Sequence, residues 1–241
     1  MSFSYISMAR PDESDTRAIK NDDAVMDAIN NTVDYLNNTF NDHSHDFISW
    51  DYGSSGCYPA QYDEFNGDAD YARDCIENLV DDGLMSPKEN VVLPHGVLSW
   101  GYGLSIEHYY NGNVYFASCV YADSTFHVKE WAMRAMTWHE IGHSLSYGKG
   151  GEHGNGTHEL VYEAGELKID DITPMGTSYT YDKNGNVDTG YQGSADPPFS
   201  FCGGIFNEKY DFSAGDKKSN HDYSKYSSCT LDSIEVWMDK F

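Results

Sequence analysis

The sequence predicts an α/β protein, and two observations carry that expectation. Short strand-like apolar runs alternate with helical stripes through the first 148 residues. Beyond them the chain becomes rich in Gly, Asn, Asp, Ser and Tyr. Alternating strands and helices build a sheet covered by helices, whereas a long irregular stretch builds a loop-dominated lobe. We therefore expect two lobes in one domain: 1–148 with the sheet, and 149–241 as a smaller irregular lobe ending in a helix. A chain of 241 residues suits that size.

The elements follow in order. Residues 3–8 read as a first strand. Val25, Met26, Ile29, Val33, Leu36 and Phe40 give a helical stripe, with Asn21 and Asp22 as the caps that begin it. Residues 47–52 suit a second strand. Tyr71, Cys75, Ile76, Leu79 and Val80 form a shorter helix that stops near Gly83. Residues 91–93, 97–100 and 114–121 are candidate strands, and Tyr109-Tyr110-Asn111-Gly112-Asn113 is a hairpin-type turn. From 127 to 147 there is no Pro, and Gly142 is the only Gly. Val128, Trp131, Ala132, Ala135 and Met136 share one helical stripe, which continues onto His139, Gly142 and His143. Gly148 can end that helix in the left-handed conformation. Residues 148–157 are Gly-rich, and 182–228 carry few periodic runs. Leu231, Ile234, Met238 and Phe241, with Trp237 beside them, close the chain as a short amphipathic helix begun at Thr230 or Asp232.

The chemistry lies in His139-Glu140-Ile141-Gly142-His143. Residues four apart share a helix face, so two imidazoles can point at one metal ion. Glu140 then sits beside the metal and outside its ligand set, where a general base for an activated water belongs. The apolar stripe ending on His139 and His143 turns both inward. A catalytic zinc takes three protein ligands, so a third must follow the helix. His153, His158 and Glu163 are the candidates. His153 is favoured because Gly150-Gly151-Glu152-His153 is a flexible run that can fold back under the helix end.

These residues resemble the metzincin clan of zinc endopeptidases. The resemblance rests on the His-Glu-Ile-Gly-His motif, a Gly-x-x-His step and a Met in a turn. The clan's spacing puts Gly and His where Ser146 and Lys149 stand here. An insertion of about four residues restores the pattern, with Gly150 as the Gly and His153 as third ligand. Met175, in Thr173-Pro174-Met175-Gly176, matches the Met-turn, which in the clan lies beneath the metal as an apolar floor. The resemblance implies a twisted mixed sheet with two long helices, the active-site helix and a smaller C-terminal lobe. It also implies a protein or peptide substrate, extended in a cleft between the lobes and added to an edge strand, here 114–121. The spacing of Glu163 is instead similar to the thermolysin-like clan. A third alternative is a non-catalytic, metal-stabilised surface or binding protein, although a purely structural zinc has four protein ligands and needs no base.

Composition bounds the partners. The formal charge is −24, Asp outnumbers Glu, and Lys plus Arg total 15. Such a surface repels nucleic acid and anionic lipid. It suits a halophilic protein whose repulsion is screened at high salt. No apolar run reaches the ~18 residues of a membrane span. Met1-Ser2-Phe3-Ser4-Tyr5 lacks the regions of a signal peptide, so a secreted protein is expected to begin here at its mature chain. A monomer is expected. Five cysteines leave an odd one. Pairing neighbours in sequence gives Cys57–Cys75 and Cys202–Cys229, as suits an extracellular protein, with Cys119 a buried free thiol. Residues 182–188 faintly resemble a calcium loop, but Val187 stands where its Gly belongs and Gly193 where its Glu belongs. An Asn-Gly turn is favoured there, and calcium remains a minor alternative ion.

Overall fold

The computed structural model describes residues 1–5, 16–44, 46–51, 69–95, 103–121, 130–146, 226 and 228–240. The chain divides into two compact units, Met1–Ser144 and Leu145–Phe241. Among the described residues the first unit holds five strands: β1 (Ser2–Tyr5), β2 (Ile48–Asp51), β3 (Asn90–His95), β4 (Gly103–Tyr110) and β5 (Asn113–Tyr121). Its helices are α1 (Thr16–Thr39), α2 (Ala69–Asp81) and α3 (Glu130–Leu145), whose last residue falls across the division. In the second unit α4 spans Ser228–Lys240. The fold is thus mixed α/β, with a five-stranded sheet ordered β2-β1-β3-β5-β4. All neighbours run parallel except β4 and β5, which are antiparallel.

Two local stops frame the sheet. After α2, Gly83 takes φ 70°. Its amide donates to the Val80 carbonyl, and the Leu84 amide donates to Leu79 at 2.8 Å. That pair of bonds satisfies the last carbonyls of the helix and needs a left-handed residue, which Gly supplies without a Cβ clash. Between β4 and β5, Asn111 and Gly112 both have positive φ, 49° and 80°. This is the two-residue hairpin turn whose twist matches the flanking strands.

The two faces of the sheet are covered differently. Residues paired across neighbouring strands point to one face, and successive residues alternate. Val91, Leu93, Ile106, Tyr115, Ala117 and Cys119 pack with Ala72, Cys75, Ile76 and Leu79 of α2. Burying each large aliphatic side chain contributes about 1.5–3 kcal/mol, against about 0–1 kcal/mol for an exposed pair such as Arg73–Asp70. Packing therefore holds α2. The opposite face carries Phe3, Asn90, Ser105, Ser118 and Ser49. There the Ser49 hydroxyl donates to Asn30 of α1 at 2.7 Å, and Ser118 meets α3. Asn37 of α1 exchanges two 2.9 Å bonds with the Phe47 backbone, and Phe47 stacks on Phe3. Helix α3 is tied to α1 by the Tyr35–Trp138 ring contact and by Arg134 with Asp27 at 2.9 Å.

Several expectations are corrected. Helix α1 begins at Thr16, so Asn21 and Asp22 lie inside it and do not cap it. The helix-forming run Arg17-Ala18-Ile19-Lys20 carries the helix past two residues of only slightly lower propensity. Strand β4 was not expected, and its presence moves β5 from the edge to the interior, between β3 and β4. Among the described residues the edges are β2 and β4. In its last turns α3 is buried on most sides and not along one stripe: Met136, Thr137, Trp138, Glu140, Ile141, Ser144 and Leu145 are all buried. In α4 the buried face is Thr230, Ser233, Ile234, Trp237 and Met238, while Leu231 is only half-buried. That helix starts at Ser228, two residues before Thr230. The proposed strand at 97–100, the Gly148 stop and Phe241 lie outside the described residues. No helix of the described residues is long and apolar enough to cross a membrane.

Candidate metal centre

Helix α3 delivers the motif. His139 and His143 sit one turn apart, and their Nε2 atoms face each other at 3.0 Å. The rings are nearly perpendicular, with centroids 4.5 Å apart. Two imidazole ligands of a tetrahedral zinc, each at about 2.0–2.1 Å, have nitrogens about 3.3 Å apart. The observed spacing lies within a few tenths of an ångström of that, so the donor pair fits a zinc ion. His139 is buried and His143 half-buried.

Glu140 is buried, and its Oε1 lies 4.0 Å from His139 Nε2. Burial pushes its carboxyl up to about 8, because a carboxylate loses its hydration there; hydrogen bonding to Ser105 opposes the shift. A nearby cation would favour the carboxylate again.

A polar network surrounds Glu140 in an otherwise apolar layer. Its carbonyl oxygen accepts from Ser105 at 2.6 Å, and lies 3.2 Å from both the Ser118 and Ser144 hydroxyls. Ser105 also lies 3.0 Å from Glu140 Oε2. Ser118 and Ser144 are 2.8 Å apart, and Asn90 donates to Ser118 at 3.0 Å. Buried polar groups cost free energy unless they are paired, and here β3, β4 and β5 supply the partners. Sequence reading missed Asn90, Ser105, Ser118 and Ser144. One signal was available: Ser118 interrupts the apolar run Phe116-Ala117-Ser118-Cys119-Val120.

The remaining expected site residues, His153, His158, Glu163 and Met175, lie outside the described residues, as do 182–188. Among the described residues no group of three or more metal-binding side chains forms. Cys119 is a free, buried thiol, as expected. Burial and the nearby Glu140 both raise its pKa well above the ordinary thiol value. Cys75 is disulfide-bonded; Cys57, its expected partner, lies outside the described residues.

Comparison with known protein families finds none that matches the chain, and comparison with curated proteins finds no match.

Proposed function

We propose that the protein is a secreted, monomeric zinc endopeptidase of metzincin-like design. One observation carries the reading: two imidazole Nε2 atoms converge at zinc-ligand spacing, with a buried carboxyl beside them that is not needed to hold the ion. A purely structural zinc site would have no use for that carboxyl. His139 and His143 would hold the ion, with His153 as third ligand and His158 or Glu163 as the alternatives. Glu163 in that role would make the enzyme thermolysin-like. Met175 would form the apolar floor.

Zinc, when bound, lowers the pKa of a water toward about 7 and polarises a carbonyl. The chain's own residues do the rest. Glu140 takes the proton of the attacking water on a carboxylate oxygen and passes it to the leaving amine. A protein or peptide substrate would add as an extended strand beside β4, the sheet edge nearest α3 in hydrogen-bond terms, because Ser105 of β4 touches Glu140. The formal charge of −24 disfavours nucleic acid and anionic membranes as partners. The test is Glu140→Ala. Zinc should stay bound in stoichiometric amount while casein cleavage is lost; wild-type cleavage rates in that variant would end the catalytic reading.

A further inference from the structure

Ser105 lies on β4, 35 positions from Glu140 in sequence, yet its hydroxyl reaches both ends of that residue. It is 2.6 Å from the Glu140 carbonyl oxygen and 3.0 Å from Oε2. Ser118 and Ser144 also reach the carbonyl, so that bond alone would make Ser105 redundant. What Ser105 adds is the carboxyl contact. Among the described residues it is the one side chain that hydrogen-bonds there.

Resting on the peptidase reading, we infer that Ser105 is a positioning residue that fixes the Glu140 carboxyl relative to the metal and to a peptide on the edge strand. The chemistry of a hydroxyl suits this task. It has one proton to donate and can also accept. It donates to Oε2 when Glu140 is a carboxylate. When Glu140 holds the proton on Oε1, the oxygen nearer His139, Oε2 is its carbonyl-type oxygen and still accepts from Ser105. The carboxyl therefore keeps a partner throughout a cycle in which it takes and returns a proton. A base held by such a bond needs little reorganisation at the moment of reaction. Because Ser105 belongs to the edge strand, base and substrate would be referenced to the same piece of backbone.

The experiment compares Ser105→Thr with Ser105→Val as zinc-loaded proteins. The two residues are nearly isosteric and both suit a strand, so the hydroxyl is the difference between them. With a peptide substrate, Ser105→Val should lose about 10- to 100-fold in kcat, while Ser105→Thr retains most of it. KM and zinc content should be the same in both. Calorimetric affinity for acetohydroxamic acid, a metal-binding acid that hands its proton to a neighbouring base, should fall in Ser105→Val alone. Equal kcat in Ser105→Val and wild type overturns the inference. So does a loss confined to KM, or a loss of zinc in Ser105→Val that Ser105→Thr does not share. Failure of the peptidase reading looks different: zinc-loaded wild type would then cleave no peptide, or Glu140→Ala would cleave at the wild-type rate whatever stands at 105.

Discussion

His139 and His143 present their Nε2 atoms to each other at 3.0 Å, one helical turn apart on a helix buried on most sides. The helix sets the two residues one turn apart on one face, so a single ion can meet both imidazoles. Two ligands, however, leave a catalytic zinc one short.

His153→Ala is therefore expected to lower zinc affinity far more than His158→Ala or Glu163→Ala. Loss of one ligand should cost at least the 10–100-fold that loss of a ligand's own hydrogen-bond partner costs. Metal content of the three variants, measured against a competing chelator, checks this. If Glu163→Ala alone strips the metal, the thermolysin-like arrangement replaces it.

Stability of the metal-free protein should depend on pH through Glu140. Its carboxyl is raised in the folded state from 4.5 to about 8. A raised carboxyl means that folding favours the protonated form. Its stabilising contribution is complete below 4.5 and disappears as pH rises through about 8. The melting temperature of metal-free wild type should thus fall between pH 5 and 8 relative to Glu140→Gln, which has no proton to lose. Parallel curves for the two proteins across that window would contradict the burial argument.

Thiol chemistry should separate Cys119 from the other cysteines. Its thiolate is disfavoured by burial and by the neighbouring carboxyl, so the native protein should not react with iodoacetamide at Cys119. Mass mapping without reduction should find Cys57–Cys75 and Cys202–Cys229. Rapid native labelling of Cys119, or any bridge that includes it, would refute the assignment.

Salt should stabilise the chain. The formal charge is −24, and like charges on a compact surface repel. The screening length falls from about 10 Å at 0.1 M to about 3 Å at 1 M salt. Exposed pairs such as Arg73–Asp70 lose little by that screening, because they contribute only about 0–1 kcal/mol each. Melting temperature and activity should both rise between 0.1 M and 1 M potassium chloride, and a flat or falling melting temperature would remove the halophilic interpretation.

What the sequence determined by itself was local. The His139–His143 spacing, the stop at Gly83 and the Asn111-Gly112 turn each depend on a few neighbouring residues, and helical or turn geometry converts their spacing directly into position. The inward-facing stripe of α1 was legible for the same reason, although its first turn was not, since helix starts rest on small propensity differences. The tertiary structure decided what depends on pairing between distant segments. Strand β4 earns its place through its register with β5, and that pairing turns β5 into an interior strand. The same register sets Ser105 directly opposite Ser118, on the face where α3 brings down Glu140. No spacing along the chain announces that meeting, because a strand's face is chosen by its partners and by the helix that covers it.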